Sequence, residues 1–356
     1  MVQSTTLRTI INELVRQNLL PPEATEQITK TLMIFPEKIS TPWFINTLIG
    51  ISAWLAVIPL LVFLFLIQLI NTAVSAIGVG IIFIVGTVFF KHFYKEDTFF
   101  LAQFALALNL TGQLLFVGGL WVQTDTIMAA LATAVLELFL FNFYQSSIIR
   151  FTSILIFIAS LIVLFYEWHF YQGVHLVILA TAAGSIWCWL KESQHQLNEI
   201  IVELYLPLGY GLVTALFLML LPSIQAEIIP KMPITWSFST LGLIMWLLGL
   251  EFMLLPNHNF FLISANNIIL LSGTLLIGLL FYQAPGIIAT VIVMVLGFQR
   301  SNRVLMGGAI FFFTVFLVAY YYHLELTLLI KSITLVSSGL ALLGLRWILK
   351  QLPQGE

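Results

Sequence analysis

The sequence predicts an all-α fold: a polytopic transmembrane bundle of about twelve helices, with both termini in the cytoplasm. Charged residues make up only 8% of the 356 residues and apolar residues 60%, whereas an average soluble domain is about 25% charged. Apolar runs of membrane-spanning length recur, and lysine and arginine collect in alternate connections. This composition excludes a water-soluble globular enzyme. A formal net charge of -2 gives no reason to expect a nucleic-acid partner.

Residues 1–40 are predicted to form a cytoplasmic amphipathic arm of two short helices. Apolar residues recur at helical spacing from Leu7 to Val15, and charged and amide side chains occupy the opposite face. Pro21 and Pro22 end the first helix, and Pro22 with the acidic residues after it begins the second. We expect the apolar stripe to dock on the inner face of the bundle or on lipid headgroups.

Residues 41–350 are predicted to form the transmembrane helical domain, and residues 351–356 a cytoplasmic tail. The predicted spans are 44–68, 72–90, 99–119, 126–145, 151–166, 173–190, 200–221, 235–255, 261–282, 285–299, 304–322 and 326–349. The span after Pro285 is so short that a re-entrant segment is the alternative for it. No connection has room for a folded soluble domain, so we expect function in the membrane, at its surfaces or in the arm.

Lysine and arginine positions favour twelve crossings. If the N-terminus is cytoplasmic, twelve of the 14 basic residues fall on the inner side, where short loops are enriched in them. They are Arg8, Arg16, Lys30, Lys38, Lys91, Lys95, Arg150, Lys191, Arg300, Arg303, Arg346 and Lys350. Lys231 falls in an outer loop, and Lys331 lies within the last span. A failure of the short span to cross would move two arginines outside and spoil this bias.

Glu137 is the most informative polar side chain of the predicted bundle. It lies about eleven residues into the fourth span, near the bilayer midplane, with a leucine on each side. An acidic side chain at a span centre costs about 2.5 to 3.5 kcal/mol even on mild insertion scales. Glu137 must therefore face protein or water, pair with a cation or be protonated. Two roles stay open: a proton or substrate site, and a protonated acid hydrogen-bonded to a neighbouring helix.

Three further polar residues in predicted spans are candidates for a substrate or proton site. Lys331 lies about 8 Å below the outer end of its span, so its flexible stem can reach the surface. Three explanations of Lys331 stay open: snorkelling to the surface, an ion pair with Glu137, and a functional role. Asn109 and Gln113, four residues apart, share one face of the third span. We favour interhelical hydrogen bonding for this amide pair, and a substrate contact is the alternative.

Other residues of the spans narrow the classes of function. Pro207, followed by two glycines, predicts a kink in the seventh span, which either gates a transporter or belongs to a passive bundle. Glu251 is close to the inner end of its span, where we expect it to reach headgroups. The 6 histidines fall in loops or at span ends, and Cys188 is the single cysteine. Because no histidine pair, P-loop, G-x-S-x-G or H-E-x-x-H motif occurs, we expect no cofactor, no metal and no enzymatic activity.

The segment 297–346 contains closely placed glycine, aromatic and basic residues. They are Gly297, Phe298, Arg300, Asn302, Tyr320, Tyr321, Tyr322, His323, Leu324, Thr327, Leu328, Leu329, Lys331, Ser332, Gly339, Leu342, Leu343 and Arg346. On these residues the chain resembles a bacterial family of multi-pass membrane proteins that carries only the label of a domain of unknown function. The resemblance implies a bacterial inner (cytoplasmic) membrane location and a small membrane-anchored protein partner with a Gly-Asp-Tyr motif. It also implies a role for Lys331 beyond snorkelling, but no activity.

Two hypotheses about function follow. The first is a transporter or permease, which the twelve spans, Glu137 and Pro207 favour. Because few polar groups lie at midplane depth, a hydrophobic or lipid-like substrate fits better than a charged or sugar-like solute. The second is a non-catalytic protein of the lipid bilayer that binds or assembles a partner. The amphipathic arm, the short loops and the implied small partner favour this alternative.

Overall fold

The computed structural model describes residues 43–93, 99–144, 146–191, 199–224, 234–254, 271–275, 278–279 and 281–323, with scattered positions between 332 and 344. The predicted N-terminal arm, the tail, Lys331 and most of the ninth and twelfth predicted spans lie outside the described residues. The arm, the count of twelve spans and the side of the termini therefore stay predictions.

Ten α-helices with defined ends lie in the described part of the chain, which contains no strand. They are α1 (Trp43–Leu66), α2 (Ala73–Phe93), α3 (Phe99–Gln123), α4 (Thr126–Phe143), α5 (Ser147–Glu167), α6 (Gly173–Lys191), α7 (Glu199–Leu220), α8 (Ser237–Leu254), α9 (Pro285–Gln299) and α10 (Arg303–His323). A short 3₁₀ helix, Leu221–Ile224, follows α7. Each helix coincides with a predicted span to within four residues at either end.

Nine of the ten helices of the described chain are long and apolar enough to cross a membrane. The all-α fold is thereby confirmed, and the chain is a multi-pass membrane protein. The largest differences from the sequence prediction, of four residues each, are at the end of α3 and at the start of α5. Arg150, expected in the connection before this span, lies in the first turn of the helix and is buried. The helix begins earlier because this arginine packs within the protein.

The remaining helix, α9, is short and lies in the protein interior. It has 15 residues, of which ten are buried, and it packs against α6, α7, α8 and α10. Pro285 occupies its first turn, where proline needs no hydrogen-bond partner for a missing N–H. Ile287, Ile292 and Phe217 are among the fully buried residues of this core. A helix that is apolar on every side is typical of such a buried position.

The chain divides into two compact units. The smaller comprises Met1–Ile58 and Asp97–Phe104, and the larger comprises Pro59–Glu96 and Ala105–Glu356. In the smaller unit, the described residues belong to α1 and to the start of α3, where two phenylalanine rings four residues apart stack at 6.1 Å. The features described below all belong to the larger unit.

Glycines allow α2 and α3 to approach closely in the larger unit. A Cβ atom on Gly80 would lie 2.7 Å from the Gly112 carbonyl oxygen, and one on Gly112 would lie 2.9 Å from the Gly80 oxygen. Seven residues further along α3, which is two helical turns, a Cβ atom on Gly119 would lie 2.8 Å from the Ala73 oxygen of α2. Small residues at such contacts are how membrane helices bring their backbones together. The α2–α3 pair therefore depends on these three glycines.

Candidate functional site

The α4–α5 hairpin determines what Glu137 faces. Only three residues, 144–146, join the two helices, which pack closely against each other. Glu137 lies six residues before the end of α4, and Ser153 lies six residues after the start of α5. At a rise of 1.5 Å per residue, both are about 9 Å from the turn. Glu137 and Ser153 therefore come face to face across the hairpin.

Glu137 is fully buried, and neither of its carboxyl oxygens has a hydrogen-bond partner among the described residues. The Ser153 hydroxyl is near enough to act as a hydrogen-bond donor to the carboxyl group, although the pair lies outside ideal hydrogen-bond geometry. The prediction that Glu137 avoids lipid is confirmed. Ser153 belongs to the neighbouring helix, so both roles predicted for Glu137, a functional site and a structural contact between helices, stay predictions.

A cavity of about 540 Å³ lies beside Glu137 and is lined by α4, α5, α6 and α7. Its polar lining residues are Glu137, Ser153 and Thr181, and all the others are apolar. Thr181 donates its hydroxyl hydrogen to the Val177 carbonyl oxygen at 2.7 Å. The carboxyl group and the Ser153 hydroxyl are thus the polar groups of the cavity wall that no ideal hydrogen bond satisfies among the described residues, and their oxygen atoms are enclosed within this wall. The volume lies within the range of about 300 to 1,000 Å³ that is usual for small-molecule sites.

The cavity is long and opens sideways. Its lining follows α5 from Ser153 to Phe165, which is about 18 Å of helix. Phe165 marks the far end, where its ring packs edge-on against Phe170 at 5.8 Å. Leu138 on α4 and Leu176 on α6 line the rim and are 46% and 58% exposed. The rim of the opening is therefore apolar and exposed.

Asn109 and Gln113 form a chain of hydrogen bonds between α2 and α3. Gln113 Nε2 donates to Asn109 Oδ1 at 2.8 Å, and Asn109 Nδ2 donates to Thr87 Oγ1 at 2.8 Å. All three side chains are buried, and Gln113 Oε1 has no partner in the described part of the chain. The prediction of interhelical hydrogen bonding is confirmed. This amide pair does not line the cavity of Glu137, and its role in a substrate site stays a prediction.

Lys331 lies outside the described residues, so its proposed pairing with Glu137 stays a prediction. Pro207 lies inside α7, which continues through it without a break. The glycines after it serve close packing: a Cβ atom on Gly209 would lie 3.0 Å from the Trp189 ring, and one on Gly211 would lie 3.0 Å from Ile154. Among the described residues, no group of three or more His, Cys, Asp and Glu side chains has a metal-binding arrangement.

Two polar contacts between helices were not found by sequence reasoning. Thr274 donates its hydroxyl hydrogen to Glu251 Oε1 at 2.7 Å, and Glu251 Oε2 is buried without a partner among the described residues. The expectation that Glu251 reaches headgroups is therefore wrong, because protein encloses its carboxyl group. Nδ1 of the buried His175 and Ser239 Oγ lie 2.5 Å apart and join α6 to α8. Each contact joins distant segments, so no local spacing indicates it.

The turn between α9 and α10 contacts the C-terminal end of α6 and the middle of α7. Arg300 Nη2 donates to the carbonyl oxygen of Leu190, near the end of α6. Asn302 Nδ2 donates to the Tyr210 hydroxyl of α7 at 2.7 Å. Because the last carbonyl groups of a helix have no partner within it, an arginine at this position stabilises α6.

The same turn is shaped by two residues on which the resemblance rests. Asn302 Oδ1 accepts hydrogen bonds from the backbone N–H groups of Val304 and Leu305, both at 3.1 Å, and so caps α10. A Cβ atom on Gly297 would lie 3.1 Å from the backbone nitrogen of Met306. Gly297 and Asn302 therefore have structural roles in bringing α9 and α10 together.

A family described as a domain of unknown function, DUF4401, matches residues 42–352. The chain belongs to the DUF4401 family. The matched residues contain all ten helices, and the expected membership of an uncharacterised family is confirmed. Comparison with curated proteins finds no match, and comparison with solved structures finds none either. Because DUF4401 carries no activity in its description, the function of this member has to be argued from its own site.

Proposed function

We propose that this DUF4401 protein is a transporter of the bacterial inner membrane, and that a hydrophobic or lipid-like substrate binds in the cavity beside Glu137. The observation that carries the proposal is a fully buried carboxyl group, without a hydrogen bond of ideal geometry among the described residues, at one end of a mainly apolar cavity. A buried polar group without a hydrogen bond lowers stability. Proteins tolerate such local violations mainly at functional sites.

The position of Glu137 along α4 favours movement of a substrate over passive storage. It is about 9 Å from one end of the helix and about 16 Å from the other. A substrate that carries a polar group loses hydration when it crosses the apolar phase. A hydrogen-bonding side chain between the two surfaces offsets part of this loss. The proposed activity is thus binding and translocation, with no chemical reaction.

In this proposal the chain crosses the membrane twelve times and both termini are cytoplasmic. The support is the distribution of basic residues, since Arg150, Arg300 and Arg303 lie at the α4–α5 and α9–α10 turns, which this topology places inside. Glu137 is then closer to the cytoplasmic surface, and the Phe165 end of the cavity is closer to the outer surface.

Mass spectrometry of the compounds that remain bound after purification from native membranes tests the proposal. We expect the wild-type chain to retain a hydrophobic compound, and Ala180→Trp to retain less of it. Ala180 is an exposed residue at the rim of the cavity, so the indole fills the cavity without disturbing the core. Val135→Trp is the matched control, because Val135 is exposed on α4 and does not line the cavity.

The retained compound is then added to liposomes that contain the purified protein, and its movement between leaflets is measured. We expect faster movement with the wild-type chain and with Val135→Trp than with Ala180→Trp. Equal retention and equal movement for all three proteins would refute the cavity as the substrate site. Retention of a small membrane protein in place of a hydrophobic compound would favour the partner-binding alternative.

A further inference from the structure

We propose that the ligand of the Glu137 cavity is a lipophilic primary amine, a single alkyl chain that ends in an ammonium group. The inference rests on the proposed function and specifies its substrate class. The ammonium group is bound by Glu137 and Ser153, and the alkyl chain lies along α5 toward Phe165.

The count of hydrogen-bond acceptors favours a primary ammonium group. Three buried oxygen atoms at this end of the cavity lack hydrogen-bond partners in the described chain: Glu137 Oε1, Glu137 Oε2 and Ser153 Oγ. A primary ammonium group carries three N–H donors and no acceptor. A hydroxyl group carries one donor, so it satisfies one of the three oxygens. A carboxylate or phosphate head group carries no donor and adds negative charge beside Glu137.

The charge of the cavity also favours a cation. Among the described residues, Glu137 is the one ionisable side chain that lines it. The nearest described cation along α5 is Arg150, which lies one helical turn from Ser153 toward the α4–α5 turn and does not line the cavity. A buried charge needs an opposite charge and hydrogen bonds at close range. An ammonium group between Glu137 and Ser153 supplies both.

The shape of the cavity favours one extended chain. Its lining follows α5 for about 18 Å, close to the thickness of one leaflet, which is about half of the 30 Å hydrocarbon core. Beyond Ser153 every lining residue except Thr181 is apolar, and the Thr181 hydroxyl is satisfied within its own helix. A chain of membrane-lipid length therefore extends from the carboxyl group to the Phe165 end.

A second cavity provides an internal reference. It has a volume of about 250 Å³ and shares Ile158 with the first, but its lining is otherwise different and contains no carboxyl group. Tyr166, Tyr171 and Trp236 lie at its predicted outer end. In this cavity, burial of apolar surface alone drives the binding of an alkyl chain. Its occupancy should therefore not depend on the head group of the ligand or on Glu137.

Photolabelling of the full chain in lipid nanodiscs tests the proposal. The probes are hexadecylamine, hexadecanol and palmitate, each with the same diazirine in the alkyl chain. Labelled peptides are identified by mass spectrometry, and unlabelled hexadecylamine and hexadecanol compete with the amine probe. We expect the amine to label Phe157 or Leu161 most strongly, the alcohol less and the acid least. Because Glu137→Gln removes one partner of a buried charge pair, it should reduce amine labelling about thirtyfold or more.

The matched control is Glu251→Gln, which changes another enclosed glutamate on a different helix and should leave amine labelling unchanged. Labelling of Ala159 and Leu218 in the second cavity should be the same in all variants. Equal competition by the alcohol and the amine in the wild-type chain, or amine labelling that is insensitive to Glu137→Gln, would overturn the amine proposal and leave the hydrophobic cavity intact. Absence of cavity labelling by all three probes would refute the proposed function as well.

Discussion

Glu137→Leu should make the fold more stable while it removes ligand binding. Neither carboxyl oxygen has a hydrogen-bond partner in the described chain, so the substitution breaks no such bond. A buried polar group without a hydrogen bond costs about 1–3 kcal/mol in protein mutational data. Leucine removes this cost and adds apolar contact to a lining that is already apolar. We therefore expect the free energy of unfolding to increase by about 1–3 kcal/mol.

Asn109→Leu is the matched control with the opposite expected sign. Asn109 is as deeply buried as Glu137, but its amide bonds both Thr87 and Gln113. Polar contacts between membrane helices contribute about 0.6 kcal/mol on average and up to about 1.7. Asn109→Leu should therefore decrease the free energy of unfolding by about that amount, because Gln113 loses the acceptor of its amide N–H and the hydrogen bond that joins α3 to Thr87 of α2 is removed.

Titration with SDS of the purified full chain in lipid–detergent micelles measures both changes. Unfolding is followed by the fluorescence of the 9 tryptophans. Glu137→Leu should unfold at a higher SDS fraction than the wild-type chain, and Asn109→Leu at a lower one. If Glu137→Leu unfolded at a lower fraction, its carboxyl group would have a stabilising partner within the protein. The carboxyl oxygens of Glu137 would then need no ligand to satisfy them.

Three further outcomes are expected. Gly80→Ala places a Cβ atom 2.7 Å from backbone atoms of α3, so it should lower the free energy of unfolding by about 1–3 kcal/mol in the same titration. Gly78→Ala is the control: its Cβ atom enters open space, so the free energy of unfolding should not decrease. Asn302→Ala removes the cap of α10 and should cost about 1–2 kcal/mol, seen as helix loss at lower temperature by circular dichroism. Cysteines at Lys231 and Arg303 should react with membrane-impermeant reagents from opposite sides, and labelling of both from one side would contradict the twelve-span topology.

The positions of the helices could be predicted from the sequence, because a continuous run of apolar residues is enough to identify a membrane helix. The prediction for α9, 285–299, coincides with the observed Pro285–Gln299. The prediction for α5 began four residues late because a charged residue, Arg150, was assigned to the connection. Burial of that arginine depends on neighbours that are distant in sequence, so a local pattern does not indicate it.

The burial of Glu137 was also accessible from the sequence, because the cost of a carboxyl group in the apolar phase is a local property of the residue and its depth. The same holds for the hydrogen bond between Asn109 and Gln113, since residues four apart on a helix are neighbours. Local spacing did not indicate Thr87, which completes that chain of hydrogen bonds from the other helix.

Only the tertiary structure decided what surrounds these residues. Glu137 faces Ser153 because a three-residue turn sets the register of α4 against α5, and it lines a cavity because α6 and α7 complete the walls. Glu251 is enclosed with Thr274 and does not reach headgroups, since another segment packs over it. The sequence specifies where a polar group costs free energy. Which partner offsets that cost depends on helix pairing, and pairing depends on contacts between residues that are far apart in the chain.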